Sequence, residues 1–464
     1  MSAATIQTDA IGIILAAGDG SRMRSRIPKP LHLAAGKELI RYPVELLAQC
    51  GVAHIVVVAS PANHDSLAAV LGGAVNCAIQ PVANGTADAV ACALAALDAA
   101  PDTVVVLAAD TPLVRAESLR RLMDEHASAA GRCMTILSAT DVFAHDLGQI
   151  QRAASGDSYD VGPVSAIVEA ADRPDSSTGP AEVNTGVYCF DGNWLTAAIA
   201  EVTPSPSGER YLTALVRIAA DAGRSVVAAP IALPDEAMGV NDRLQLSAVE
   251  TVLRDRVNCR WMREGVTIID TATTYIDSEV TIAPDTVILP NTMLAGRTVI
   301  GQDCQVGPNS VVRDSIIADR CRIVASVIEG ATIHSDVDIG PYSHLRPDTV
   351  IETGVHLGNY VEVKNSRIGP GVAAGHFCYL GDSHVGANVN IGAGTITCNY
   401  DGVDKHQTTI GDGAFIGSDT MLIAPINVGP GATTGAGSVV TSDVPPSGRV
   451  VGVPARLLPP KPTQ

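Results

Sequence analysis

The sequence predicts an α/β protein in three parts. A doubly wound domain covers residues 1–240, a linker helix 241–265, and a left-handed parallel β-helix of hexapeptide repeats 266–455. Residues 456–464, ending Pro-Pro-Lys-Pro-Thr-Gln, are expected to be a frayed tail. Three observations carry this division. Apolar runs alternate with helical patterns in the first half, a charged stretch with an apolar stripe follows, and from Ile282 onward an aliphatic residue recurs at a spacing of six.

In the first half, Ile11–Leu15, Ile55–Val58, Val104–Leu107 and Val226–Pro230 are expected as buried parallel strands. Ala- and Leu-rich stretches over Ala87–Ala100 and Leu119–His126 suit crossover helices. A ligand of such a domain belongs at the carboxyl ends of the strands. From Asp242 to Glu264, the residues Leu244, Val249, Leu253, Val257 and Trp261 predict one amphipathic helix.

The spacing of six runs through Ile300, Val306 and Val312, then Ile339, Leu345, Ile351, Leu357 and Val363. It resumes at Ile368, Leu380, Val385 and Ile391, and again from Ile410 through Ile416, Leu422 and Val428 to Val440. This period matches neither an α-helix nor a simple strand alternation. It matches a coil with three flat sides, each hexad supplying one side and one inward aliphatic. The left-handed coil is an exception to the right-handed crossover rule and is used mostly by acyltransferases. Between Cys398 and Thr409 the hexads stop, which predicts an inserted loop carrying Asn399, Tyr400 and Lys405.

Composition agrees with a stack of thin coils: 43 Gly, 46 % hydrophobic residues and only 3 % aromatics in 464 residues. A net charge of -18 without a basic run argues against nucleic acid or an anionic membrane as partner. The ten cysteines form no C-x-x-C pair, so free thiols in a reducing, cytoplasmic compartment are expected. No apolar stretch reaches the roughly 18 residues needed to span a bilayer, so no membrane insertion is expected.

The first strand runs into Leu15-Ala16-Ala17-Gly18-Asp19-Gly20-Ser21-Arg22-Met23, followed by Pro28-Lys29-Pro30-Leu31-His32. Small residues let the backbone close round a phosphate chain, with free N–H groups and the cations Arg22 and Lys29 to neutralise it. Met23 stands where a dinucleotide fingerprint has its third glycine, and no Walker pattern is present. The segment resembles the opening of the sugar-1-phosphate nucleotidyltransferases. That resemblance implies that Leu15, Ala16, Ala17, Gly18, Lys29, Gln80, Gly85 and Thr86 bind the nucleotide, with Gln80 and Gly85-Thr86-Ala87 at the base. It further implies a sugar phosphate at Gly148, Glu169, Asn184 and Asn241, and Mg²⁺ held by Asp110 and Asn241. Such a reaction needs alignment and charge screening rather than an enzyme nucleophile, a task suited to Lys29 and Arg22.

The stretch Leu345-Arg346-Pro347, Val361-Glu362-Val363-Lys364, Ala374-Gly375-His376 and Ala393 to Gly402 adds a second resemblance. It looks like the acetyltransferase half of the bifunctional N-acetylglucosamine-1-phosphate uridyltransferase/glucosamine-1-phosphate acetyltransferase family, whose two domains occur in this order. The family's general base falls on His376, its sugar-phosphate grips on Arg346 and Lys364, and its amino-sugar contacts on Tyr379 and Asn390. Asn399 and Tyr400 fall on both the amino-sugar and the acetyl-coenzyme A side, and Ala393, Ser418 and Ala436 on the acetyl-coenzyme A side. Chemistry agrees: an ammonium must lose a proton before attacking a thioester, and an imidazole titrating near neutrality can take it.

The resemblance implies UTP, acetyl-CoA, glucosamine-1-phosphate and N-acetylglucosamine-1-phosphate as substrates, and a bacterial cell-envelope precursor as product. A single triangular coil offers no concave site, so a homotrimer with acetyltransferase sites between chains is expected. The chain departs from the family at Ala87-Asp88-Ala89, where Gly-His-Ala is usual, and at Arg210, where Tyr is usual. It departs again at Leu147-Gly148-Gln149, and Asp19 adds a negative charge to the phosphate loop. These changes leave open a first domain selective for another sugar or nucleotide, such as dTTP. A coil that only assembles trimers is the non-enzymatic alternative.

Overall fold

The computed structural model describes residues 10–129, 131–142, 147–153, 162–173, 181–206 and 208–459, so the end of the expected tail lies outside the described residues. The chain divides into two compact units meeting at Leu253/Arg254.

The first unit is built on a sheet with strand order Val226–Pro230, Met134–Val142, Ala181–Asp191, Thr103–Ala108, Ala10–Leu15, His54–Ala59, Asn76–Ile79. The four apolar runs are all strands of it. Alternation along them serves both faces: Ile13, Val56, Val58, Val104 and Val106 enter one core. Their neighbours Ile14, Val57, Val105 and Leu107 enter the other. The helices form over Thr86–Ala95 and Ala116–Ala127.

One expectation needs correction. The sheet is mixed, because Ala181–Asp191 runs antiparallel to both its neighbours. Its sequence is broken by Asn184 and Gly186, at an irregularity in the pairing with Met134–Val142, so it presents no continuous apolar run. The strand Ala10–Leu15 pairs on one side with His54–Ala59 and on the other with the later Thr103–Ala108. The chain thus changes direction across the sheet at its first strand, and a crevice opens at the carboxyl ends there.

The helix Arg243–Arg263 follows. Val249 and Leu253 pack with Met23, Leu39, Leu113 and Val240, whereas Val257 and Trp261 join the core of the second unit. Leu244 was expected on the same stripe but is 83 % exposed. The five-residue step from Leu244 to Val249 turns it about 140° off a stripe otherwise stepped by four, and Leu246 packs in its place. Among the described residues no helix is long and apolar enough to cross a membrane.

The second unit consists of three sheets of 12, 10 and 9 strands, whose successive strands belong to successive sides of a coil. They are parallel except at the end of the largest, where Ala455–Leu457 runs antiparallel to Arg449–Gly452, so the first residues of the expected frayed tail are paired in the sheet. Val287 pairs with Gln305, Gln305 with Arg322, and Arg322 with Asp338 up one side. Every aliphatic of the sixfold series, from Ile282 to Val440, lies in the single core of this unit. Ile317, Ile323, Ile328 and Ile333 also point inward. They fall outside the series because steps of five residues interrupt it there.

Buried hydroxyls tie coil to coil, as where Ser343 Oγ donates to Gly358 O at 2.6 Å and accepts from Val361 N at 3.1 Å. Ile351 is fully buried among these layers. Ile351→Ala should therefore cost about 2–5 kcal/mol of stability, on the usual scale for a large-to-small core change, measured from the urea transition of the second unit.

Candidate active sites

The first site sits in the crevice at the end of Ala10–Leu15. Ala16 N donates to Val58 O at 2.9 Å and Ala109 N to Leu15 O at 3.0 Å, so both exits from the sheet stay anchored. Asn63 Nδ2 donates to Ala16 O at 2.8 Å and steadies the loop from behind. At Gly20 the backbone is left-handed, φ 59°, and a Cβ would stand 2.7 Å from Lys29 Cβ. Glycine is required for the loop to close over Lys29.

The result is a cavity of ≈ 420 Å³. Leu15, Ala16, Ala17, Gly18, Lys29, Gln80, Gly85, Thr86 and Asp110 all line it. Arg22 does not. It is exposed on the turn Ser21–Met23, outside the cavity.

Lys29 Nζ donates to Asp110 Oδ2 and, at 3.3 Å, to Asn241 Oδ1. Val240 N donates to Asp110 O at 2.9 Å and holds the segment carrying Asn241 against this strand end. One carboxylate oxygen and one amide oxygen thus converge on a single cationic point. That donor set suits Mg²⁺, a hard ion that completes its octahedron from phosphate oxygens and water. Among the described residues no group of three or more His, Cys, Asp or Glu side chains is arranged to hold a metal, so phosphate would have to supply further ligands.

The far wall is the turn into the helix Thr86–Ala95. Gly85 has φ 105°, and a Cβ there would stand 2.5 Å from Arg210 O. Segment 210–212 clasps this turn: Ala87 N donates to Arg210 O at 2.9 Å, Arg210 N to Asn84 O at 2.7 Å, and Leu212 N to Thr86 Oγ1 at 2.8 Å.

Glu169 is not in this cavity. It lines a neighbouring one of ≈ 440 Å³, and Tyr211 belongs to both. Burial pushes the Glu169 carboxyl above its ordinary value, and the Thr213 hydroxyl, donating to Oε1 at 2.6 Å, pulls it part of the way back. Gly148 packs against Glu169, since a Cβ there would stand 3.3 Å from Oε2, and Gly148 O accepts from Asn184 N at 2.8 Å. Gly148, Glu169 and Asn184 therefore form one cluster. The Asn184 amide faces inward, donating to Tyr188 OH at 2.6 Å and accepting from Gly186 N at 3.0 Å.

In the second unit His376 lies between the strand Ala373–Ala374 of one sheet and Cys378–Gly381 of the next, at a corner of the coil. It is exposed, and its ring has no hydrogen-bond partner among the described residues. A groove of ≈ 660 Å³ joins His376 to Asn390, Ala393, Ser418 and Ala436, with His356 on the same wall.

Arg346, Lys364, Tyr379 and Asn399 lie along the adjacent sheet rather than in that groove. Arg346 Nη1 donates to Glu362 Oε1 at 3.1 Å. Lys405 foremost, and then Arg346, push the Lys364 ammonium below its ordinary value, while Asp382 opposes them. Three cations on one patch attract an anion. Asn399 Nδ2 donates to Asp382 Oδ2 at 2.5 Å and to Tyr379 OH at 3.4 Å. The inserted loop folds back on itself through a Tyr400–Lys405 bridge, which brings Lys405 to Lys364 and leaves Tyr400 60 % exposed. Tyr211, Asp382 and Asp88 were not among the predicted site residues. Asp88 and Arg210 were visible only as departures from a family pattern, and Asp382 only as the last residue of the acetyltransferase-like stretch Tyr379-Leu380-Gly381-Asp382.

Residues 12–178 match the MobA-like NTP transferase domain family. Residues 279–314 match the bacterial transferase hexapeptide family (six repeats), and 407–442 the hexapeptide repeat of succinyl-transferase. Over 436 residues the chain is 43 % identical to the bifunctional protein GlmU of Pelobacter propionicus, covering 93 % of each chain. It is 43 % identical over 440 residues to that of Trichlorobacter lovleyi, covering 94 % of each, and 42 % identical over 434 residues to that of a Geobacillus species, covering 93 % of each.

Proposed function

This chain belongs to the family of bifunctional GlmU proteins, and on that premise we propose how its two sites divide the work. It is a bifunctional transferase, a uridyltransferase joined to an acetyltransferase. In our reading the second unit acetylates glucosamine-1-phosphate with acetyl-CoA, and the first couples N-acetylglucosamine-1-phosphate to UTP. The products are UDP-N-acetylglucosamine, a precursor of peptidoglycan and lipopolysaccharide, and pyrophosphate.

The observation that carries the first assignment is the convergence of Lys29, Asp110 and Asn241 beside the loop cavity. A sugar-phosphate oxygen bonds to the α-phosphorus of UTP while the bond to the bridging oxygen of the β-phosphate breaks and pyrophosphate leaves. Asp110 and Asn241 would hold Mg²⁺, which supplies charge screening for the phosphates when bound. The small-residue loop packs round the phosphate chain, Lys29 supplies a positive charge, and Gln80 faces the base. Arg22, being exposed, would act only if the Ser21–Met23 turn moved toward the phosphates.

At the second site, Arg346, Lys364 and Lys405 attract the sugar phosphate, and Tyr379, Asn390, Asn399 and Tyr400 orient the amino sugar. The groove through Ala393, Ser418 and Ala436 takes acetyl-CoA. His376 accepts the proton from the amine as nitrogen attacks the thioester carbonyl, and the coenzyme A thiolate leaves. In this reading the chain works as a homotrimer, since the exposed His376 needs a second wall to exclude water. Ten free cysteines accord with a cytoplasmic setting.

Fragments test the division. Because Val249 and Leu253 belong to the first unit's core, a chain stopped at residue 263 should retain uridyl transfer. One stopped at 240 lacks them and Asn241, and should lose both stability and rate. Equal activity of the two fragments, scored by pyrophosphate release, would contradict the role given to the helix.

A further inference from the structure

The two departures from the family pattern in the base pocket touch each other. Gln80 is only 4 % exposed, at the wall of the first cavity. Its Nε2 donates to Gly85 O at 3.1 Å and to Asp88 Oδ2 at 2.9 Å. Both partners are acceptors, so the amide nitrogen must lie on their side. Oε1 is therefore turned the other way, and it has no partner among the described residues.

Asp88 is itself held. Its Oδ1 stands 3.6 Å from Arg210 Nη1. Arg210 is in turn fixed to the backbone, Nε donating to Val202 O at 2.9 Å and Nη2 to Ile199 O at 3.1 Å. The guanidinium also compensates a carboxylate that would otherwise repel a triphosphate.

We propose that Asp88, held by Arg210, is a positioning residue that locks Gln80 with Oε1 toward the base, and so selects pyrimidines bearing an N3–H. Uracil presents that donor to Oε1. Cytosine presents an unprotonated N3, leaving two acceptors face to face, and a site built to receive a hydrogen bond rejects such a partner strongly. Thymine carries the same N3–H, so this contact does not separate UTP from dTTP. The proposal rests on the nucleotide-pocket reading above and deepens it.

The test is the ratio of kcat/KM for UTP over CTP, with UTP over dTTP as internal reference, on the full chain with one sugar phosphate. Asp88→Leu removes the closer of the two acceptors of Nε2, leaves only Gly85 O, and so loosens the hold on the amide orientation. The UTP:CTP ratio should fall about tenfold, the scale of one mispaired buried group, while UTP:dTTP stays put. Asp88→Asn keeps an acceptor oxygen and should keep most of the UTP:CTP ratio. Asp88→Ala serves if leucine disturbs the fold. Gln80→Ala separates the two claims. If it collapses the ratio and the Asp88 variants do not, the relay is wrong and the pocket stands. An unchanged ratio in Gln80→Ala overturns the base contact itself, and the proposal with it. Rates that fall equally for all three nucleotides in Asp88→Leu would mark a merely structural role and also overturn it.

Discussion

His376→Ala should lower acetyl transfer by at least about 10²-fold, the usual contribution of a positioned general base, while uridyl transfer continues at its ordinary rate. The imidazole sits at a coil corner, exposed and without a hydrogen-bond partner among the described residues, so its removal creates no cavity and should leave the fold intact. That makes the loss chemical in origin. The groove beside it runs on to Ser418 and Ala436, and a neighbouring chain would close it. Trimers mixed from His376→Ala chains and chains blocked by Ala436→Trp should recover activity if each site draws on two chains. Verified mixed trimers with no recovery would place each site within one chain.

Asp110→Asn is expected to have the opposite selectivity. Replacing one carboxylate oxygen by an amide nitrogen would weaken the acidic ligand that Asp110 offers in the proposed Mg²⁺ site, and it loosens the hold on Lys29. Uridyl transfer should drop by about 10²-fold or more, the scale seen when a stabiliser of transition-state charge is removed, and acetyl transfer should not change. Pyrophosphate release and thiol release from acetyl-CoA, followed on the same preparation, separate the two. Equal loss of both would indicate misfolding, and an unchanged uridyl rate would remove Asp110 from the metal site.

Much of this architecture was legible because its signals are local. An inward aliphatic every six residues requires only that the coil repeat, and Ile300 through Val440 show it without any long-range information. The steps of five between Val312 and Ile333 hid four sides of the coil, those of Ile317, Ile323, Ile328 and Ile333, since only a three-dimensional column shows that they continue it. The antiparallel strand Ala181–Asp191 was missed for a related reason: Asn184 and Gly186 interrupt its pattern where the pairing is irregular. Leu244 was misplaced by one step of five on an otherwise regular helix.

The candidate sites follow the same division. The loop from Leu15 to Gly20 and Lys29 is contiguous or nearly so, and it closes one cavity as a unit. Contacts between distant segments could not be read in advance: Asp88 to Arg210, Tyr211 between two cavities, and Lys405 against Lys364. Arg22 shows the converse, a cation placed correctly along the chain that stands outside the cavity in space.

The most direct test supplies the whole chain with glucosamine-1-phosphate, acetyl-CoA, UTP and Mg²⁺ and identifies the nucleotide sugar by mass spectrometry. UDP-N-acetylglucosamine is the expected product, with free coenzyme A and pyrophosphate released in equal amounts, and no nucleotide sugar should form when acetyl-CoA is left out. Formation of UDP-glucosamine without acetyl-CoA, or of a nucleotide sugar from dTTP but none from UTP, would contradict the proposed function.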